Sequence, residues 1–382
     1  MKILSFTTVL LICALSLQAQ TKADKDYLVY VLSEGADKIS LVRFGPAGAR
    51  VERQIDTGDM PVDIDGPHGI VVSPDRQFYY VSIAHGRPFG SVWKYSTKND
   101  ALVAKSVLGY FPATLDISAD GSFLFVVNFN LHGDMTPSTV SVVSTQTMTE
   151  VARIQTCTMP HGSRLNAQGT KQYSACMMDD MLVEIDTRSL KAARHFVVTK
   201  GQERAVNGPP GPRELNPTHS LHGGAGHGTE APKPGDNSCS PTWAEPSVDG
   251  ASVFVACNGS SEIVEVNANS WQLVRRIPAR AGVYNLEITH DGQRLIATNK
   301  RDQSVSIYDL KSGKELARLP TKRKVLHGVV VSPDDRYAFV TVEGVGAEPG
   351  TVEVIDLKAL KTVATLDVAQ GAAGIDFFKT TN

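Results

Sequence analysis

The segment Val325–Val368, VLHGVVVSPDDRYAFVTVEGVGAEPGTVEVIDLKALKTVATLDV, carries the pattern that decides the fold. Val329–Val331 is a short apolar run, Ser332-Pro333-Asp334-Asp335 has turn composition, and Tyr337–Val342 is rich in β-branched and aromatic residues. A Gly/Pro-rich stretch leads to Thr351–Ile355, and Asp356–Ala359 turns the chain into Thr362–Leu366. Short runs of this kind, separated by turn residues at short intervals, predict a four-stranded antiparallel sheet.

The same pattern recurs along the chain. The first turn returns as SPDRQFYYV from Ser73, SADGSFLFV from Ser118, NAQGTKQYS from Asn166, SVDGASVFV from Ser247 and THDGQRLIA from Thr289. The later strands return as VSVVSTQTMTEVARI, LVEIDTRSLKAARHF, IVEVNANSWQLVRRI, VSIYDLKSGKELARL and VEVIDLKALKTVATL. Six full units result, and a seventh is split. AAGIDFF (Ala372–Phe378) reads as a first strand with nothing after it, while Tyr27–Ile55 supplies three strands with no first strand. Joining the two ends closes a ring of seven sheets, which leaves only short protected edges. The expected fold is therefore all-β: a seven-bladed β-propeller spanning 24–382, with four-stranded antiparallel blades and the C-terminal inner strand completing the first blade.

The quoted turns, second strands and V-x-V-I-D third strands resemble those of the YVTN-type (YncE-like) bacterial seven-bladed β-propeller family, over nearly the whole chain after its N-terminal segment. The resemblance implies the fold. Proteins of this architecture include binding proteins, lactonase-like enzymes and cofactor-carrying oxidoreductase domains, so it leaves the activity open.

Composition narrows the partners. The 382 residues carry a formal net charge of -2 and 42% hydrophobic content, enough for a large core and without a polyanion-binding surface. Lys2, the apolar run Ile3–Leu17 and the segment Ser16–Gln20 read as a signal peptide over 1–20. No later apolar run reaches the ~18 residues of a membrane helix. A periplasmic or secreted monomer is expected, with no membrane insertion and no nucleic-acid partner. The four cysteines after that segment, Cys157, Cys176, Cys239 and Cys257, allow three pairings; bonds within blades, Cys157–Cys176 and Cys239–Cys257, are expected.

The chemistry collects at one face. In a blade of this kind, the loops entering the first strand and leaving the second share a face, here the top. His68, His161 and His327 fall at one repeat position just before the first strand, in PHGIVVSP, PHGSRLNA and LHGVVVSP. Their equivalents elsewhere are Ala113, Thr242, Tyr284 and Ala373. His85 and His132 follow second strands, and only His195 and His290 lie elsewhere. A Gly/Pro-rich insert over 200–238, expected as a top-face loop, adds His219, His222 and His227. Three convergent imidazoles, with a fourth from the insert, suit zinc or copper. Met60, Cys157, Met159, Met135, Cys176, Met177, Met178 and Met181 also gather near this face, and sulfur donors select copper(I). The competing reading is structural: His-Gly as a packed turn, and methionine as core filler.

Three residues further along the inner strand lie Val71, Asp116, Arg164, Glu245, Glu287, Val330 and Asp376. Strand alternation points them at the channel, where Asp116, Arg164, Glu245 and Glu287 are candidate catalytic residues, as general base or substrate anchor. There is no CxxCH, HExxH, GxSxG or phosphate loop. Two classes of function follow: a metal-dependent enzyme or metal-handling protein using copper or zinc, and a non-catalytic propeller whose top face binds a small-molecule or protein ligand. A lactonase-like hydrolase is a third possibility, from fold analogy alone.

Overall fold

The computed structural model describes residues 23–59, 63–85, 88–211 and 238–381. Seven antiparallel sheets are present. Blade 1 combines Asp26–Ser33, Lys38–Gly45 and Gly48–Asp56 with the C-terminal strand Ala372–Thr381, as the split repeat requires. Blades 2 and 3 begin with the inner strands Pro67–Val72 and Pro112–Ile117, and blade 4 with Pro160–Leu165. Blades 5, 6 and 7 begin with Pro241–Pro246, Val283–Ile288 and Val325–Val331. The N-terminal segment 1–20 lies outside the described residues.

Two expectations need correcting. Blade 4 has five strands, not four: Arg204–Asn207, within the presumed loop insert, pairs with Lys191–Val197 through Arg194↔Asn207 and Val197↔Arg204. The part of the insert carrying His219, His222 and His227 lies outside the described residues, as does Met60. The disulfides pair as expected, Cys157–Cys176 and Cys239–Cys257. However, Cys157 ends the outer strand Thr149–Thr158 of blade 3, so its bond to Cys176 joins two blades. Only Cys239–Cys257 is internal to one blade. The difference arises because the outer strand of blade 3 is ten residues long and runs almost directly into the next inner strand.

The recurring turn has a simple cause. The Ser73 hydroxyl donates to the Asp75 carboxylate (2.6 Å) and accepts from the Phe78 amide (3.0 Å). The same pair forms at Ser247/Asp249, Thr289/Asp291 and Ser332/Asp334. A short hydroxyl and an acid two residues on thus close these inner hairpins, while in blade 4 the Asn166 carboxamide oxygen takes the accepting role.

Blades pack face to face through apolar clusters. Between blades 1 and 2, Tyr30, Tyr79 and Tyr95 stack with centroids 4.4 and 5.0 Å apart. Between blades 1 and 7, Tyr27, Phe44, Tyr337 and Phe339 fill the seam, and Tyr27 donates to Asp334 at 2.8 Å. At the axis the approach is closer still. A Cβ on Gly69 would lie 2.3 Å from the Ala113 carbonyl oxygen, on Gly162 2.4 Å from that of Thr242, and on Gly374 2.4 Å from that of His68. Glycine after the ring histidines is therefore demanded by the neighbouring blade.

Every full inner strand also carries a register shift against its partner at this point, for example between Pro67 and Ile70 and between Leu326 and Val329. Such a bulge re-aims side chains. Positions three apart, which strict alternation would send to opposite sides, can thereby both face the channel.

Because Ala372–Thr381 is the innermost strand of blade 1 and buries Ala372, Ala373 and Phe378, a chain ending at Gly371 should lose cooperative unfolding and aggregate through the exposed edge of Asp26–Ser33. Unchanged melting and solubility of that truncation would refute closure by this strand. Thiol titration of unfolded, unreduced protein should find no reactive cysteine among Cys157, Cys176, Cys239 and Cys257; one free thiol or more would refute the pairing.

Candidate functional site

The repeat brings His68, His161 and His327 together at the top of the channel, although they come from blades 2, 4 and 7. The ring centroids of His68 and His327 lie 5.0 Å apart, and those of His68 and His161 6.1 Å. All three residues are at least nine-tenths buried. Tyr284, at the same repeat position in blade 6, places its hydroxyl 2.9 Å from His161 Nε2 and 3.5 Å from His327 Nε2.

Outer partners set the tautomers. His161 Nδ1 faces the Thr242 carbonyl at 3.0 Å, which only accepts, so Nδ1 carries the proton and Nε2 offers a lone pair to Tyr284. His68 Nδ1 faces Glu34 Oε2 at 2.9 Å, which only accepts, so Nδ1 carries a proton; Nε2 has no partner in the protein. Glu34 Oε1 meets His85 Nε2 at 2.9 Å, so one carboxylate bridges a buried and a half-exposed imidazole.

Desolvation governs the charges. Burial first, and then the neighbouring His68, push His161 down to about 3; burial and the nearby Lys300 ammonium hold His327 well below the usual range. Burial raises the Tyr284 phenol, keeping it a donor, and lowers Lys300, whose Nζ sits 3.5 Å from the Tyr284 ring centroid. Glu34 goes the other way. Burial would raise its carboxyl, but His68, through charge and hydrogen bonding, and His85 outweigh that and hold it well below the usual range.

Glu34, Lys300 and Glu343 were missed by the sequence reasoning. They share one repeat position, at or just past the end of the second strand, with Ala84, Phe129, Met177 and Asn258. Lining up second-strand ends, as was done for first-strand starts, would have found them.

The sulfur-rich copper(I) set is not assembled. Cys157 and Cys176 are disulfide-bonded, and Met159 packs with Phe111 and Phe129, with Met177 and Met178 against them. Apolar side chains above the channel explain their composition. Met181 is buried in the core between blades 3 and 4, and Met135 is exposed. His195 is buried against the Gly208 carbonyl, and His290 pairs with Asp335, both away from the channel top. Among the described residues, no three His, Cys, Asp or Glu side chains form a ready-made metal cage; the Tyr284 hydroxyl stands among the imidazoles.

The lower tier is acidic. Arg164 stacks on Trp243 at 4.5 Å and lies 3.9 Å from Glu245. Asp116 accepts from the Leu165 and Ile117 amides, and Asp376 from the Val72 and Phe377 amides. Burial raises all four carboxyls despite the arginine: Glu287 to about 7, Asp376 to about 6, Glu245 well above its usual value, and Asp116 upward. Burial opposes the Arg164 charge, and Glu245 with the other carboxylates outweighs it. Asp116, Arg164, Glu245 and Glu287 thus form a proton-holding ring below the imidazoles.

Comparison of the sequence with family models and with characterised proteins returns no match. Solved structures do match. The periplasmic gluconolactonase PpgL of Pseudomonas aeruginosa is 15% identical, with a TM-score of 0.67 over 92% of this chain and 99% of that one. A putative 6-phosphogluconolactonase of Bacteroides fragilis is 14% identical, with a TM-score of 0.63 over 93% and 99%. Hydrazine synthase of Kuenenia stuttgartiensis is 18% identical, with a TM-score of 0.61 over 86% and 97%. At such identities the likeness establishes the class, a seven-bladed β-propeller, and no narrower family. Among the described residues no helix is long and apolar enough to cross a membrane. The two disulfides fit an oxidising, extracytoplasmic compartment.

The raised Glu287 carboxyl gives a signed prediction. Its folded value of about 7 lies above the ordinary value, so the folded state binds the proton more tightly and stability falls as pH rises from about 4.5 through 7. Glu287→Gln should therefore stabilise more at pH 8 than at pH 5, by up to about 3 kcal/mol and by less where channel water screens the charge. Urea denaturation at both pH values measures this; equal effects at the two would refute the buried-proton reading.

Proposed function

We propose that the top of the channel is a metal-dependent hydrolytic centre, with zinc or copper held by the Nε2 atoms of His68, His161 and His327. One observation carries this reading: His68 Nε2 is buried, unpartnered and set beside two imidazoles that burial keeps neutral. Two of the three have Nδ1 committed outward, to Glu34 and to the Thr242 carbonyl. Convergent lone pairs in a desolvated site repel one another and favour a cation. Carboxylate or carbonyl partners behind the rings are the usual means of orienting metal-bound histidine. With the sulfur donors withdrawn, an all-imidazole set beside the Tyr284 oxygen suits zinc or copper(II) better than copper(I).

A bound ion would supply Lewis acidity towards a carbonyl oxygen. The chain's own groups complete the site. Lys300 and the Tyr284 hydroxyl offer donors to an anionic or carbonyl ligand, Glu34 and His85 link the buried ring to the exposed rim, and the aromatic cluster around Phe111 and Phe129 excludes water. A lactone is the substrate class most consistent with this chemistry and with the gluconolactonase-type neighbours. The protein would then act as a periplasmic or secreted monomer on a small molecule entering from the top face.

Elemental analysis of tag-free protein, after supplementation, should find about one zinc or copper per chain. His68→Ala, His161→Ala and His327→Ala should each abolish stoichiometric binding. Glu34→Gln should weaken it about 10- to 100-fold, and His290→Ala should leave it unaltered. Hydrolysis of glucono-δ-lactone should require the ion. Absence of metal after supplementation, or wild-type binding in all three ring variants, would overturn the metal centre and favour a non-catalytic ligand-binding propeller.

A further inference from the structure

The chain enters six of the seven inner strands through a residue in the left-handed region, two places before the ring position. Three of these are Gly66, Gly282 and Gly371, at φ of 67°, 71° and 71°. Glycine takes this conformation without strain. Phe111, Met159 and Ser240 take it with a side chain, at φ of 47°, 52° and 45°. There the Cβ crowds the following carbonyl oxygen, so the turn must be held from outside.

A main-chain bond closes each turn: the residue just past the second strand donates its amide to the left-handed residue's carbonyl. The bond measures 2.9 Å at Gly66 and 2.8 Å at Phe111, Gly282 and Gly371, but 3.1 Å at Met159 and 3.3 Å at Ser240. The two disulfides sit at those two turns. Cys157 lies two places before Met159, and Cys239 directly before Ser240. Their partners, Cys176 and Cys257, directly precede the closing donors Met177 and Asn258. Each bridge thus spans the gap that the two longest closing bonds leave weakly held.

Both turns bear on one imidazole. Met159 is followed two places on by His161, and Ser240 by Thr242, whose carbonyl lies 3.0 Å from His161 Nδ1 across the seam of blades 4 and 5. We infer that the two disulfides are clamps that aim His161. One holds the turn that carries the ring, and the other holds the turn that carries the carbonyl orienting it. Cys157, Cys176, Cys239 and Cys257 are therefore positioning residues for the channel site, beyond the constraint any cross-link puts on an unfolded chain. The clamp needs no ion; its effect on zinc rests on the metal-dependent reading.

Histidine-selective NMR of the full chain, stripped of metal by chelation, reads the clamp directly, with His161→Ala assigning the signal. In the wild type the His161 Nδ1–H should be a distinct, slowly exchanging proton. Cys157→Ala with Cys176→Ala should lose it, and so should Cys239→Ala with Cys257→Ala; zinc affinity should fall about 10- to 100-fold in each. Glycine at the strained residue separates a clamp from a plain cross-link. Met159→Gly in the first background and Ser240→Gly in the second remove the strain and should restore the signal. Glycine cannot replace a constraint on the unfolded chain, which it loosens further. Where a disulfide-free variant fails to fold, folding of its glycine version is the same rescue. The inference is overturned by a wild type without the protected proton, by an unchanged His161 signal after loss of either disulfide, or by glycine versions that still lack the signal or the fold. Wild-type protein with the protected proton but no zinc binding sinks the metal centre and leaves the clamp standing.

Discussion

The structure depends on how closely seven inner strands approach the axis. At four of the seven seams, a glycine just past the channel position meets a main-chain carbonyl of the next blade. Gly69 lies against Ala113, Gly162 against Thr242, Gly328 against Ala373 and Gly374 against His68. Hydroxyls span the same seams. Ser82 joins the Gly69 amide to the Ala113 carbonyl, and Thr341 joins the Gly328 amide to the Ala373 carbonyl. Thr242 reaches the Tyr284 carbonyl at 2.7 Å. Buried main-chain polar groups must be paired, and here the pairing itself sets the blade spacing. Bulges at the same positions turn the preceding residue inward. The close-packed axis and the functional ring are therefore consequences of one local geometry.

That geometry also decides the electrostatics. A narrow channel removes water from whatever it presents, so each titratable group is pushed toward its neutral form unless a partner resists. His161 and His327 lose basicity, and Glu245, Glu287 and Asp376 gain it. The two charged exceptions each have opposing neighbours: Glu34 lies between two imidazoles, and Arg164 among four carboxylates. The upper tier is consequently rich in lone pairs and the lower tier in protons. A cavity between them is lined from above by His68 and His327 and from below by Arg164.

Much of this was legible in the residues, because repeats turn sequence position into spatial position. The split first blade, the turn acids at Asp75 and Asp334, and the gathering of His68, His161 and His327 all follow from alignment of the units. What escaped has physical causes too. Strict strand alternation carries no information about a bulge, so how both tiers reach the channel needed the structure. Glu34, Lys300 and Glu343 follow strand ends with no shared motif, since a site needs each charge only once. Cys157 looked like a residue of blade 4 because nothing in composition marks where an outer strand stops and the next inner strand starts. The extra strand Arg204–Asn207 sits in a stretch whose glycines and prolines masked four residues of extended chain.

Closure of the ring and construction of the site are the same event. Glu34 comes from the N-terminal part of blade 1, and Asp376 from the C-terminal strand that completes it. Glu34 holds the His68 ring from one side. Asp376 accepts from the Val72 amide at 2.6 Å, fixing the far end of the inner strand that carries His68. Gly374, between them in height, packs on the His68 carbonyl. The histidine with the unpartnered nitrogen is thus positioned from three directions by the two ends of the chain. The Asp376 and Gly374 contacts exist only once residues more than three hundred apart have paired, as Tyr30 does with Asp376, whereas Glu34 and His68 lie 34 apart. Long-range pairing of this kind is entropically costly and slow to form. It follows that the full support of the upper site belongs to the closed ring alone: a chain without its C-terminal strand would keep Glu34 beside His68 but would lose the Gly374 and Asp376 contacts that fix the strand carrying it.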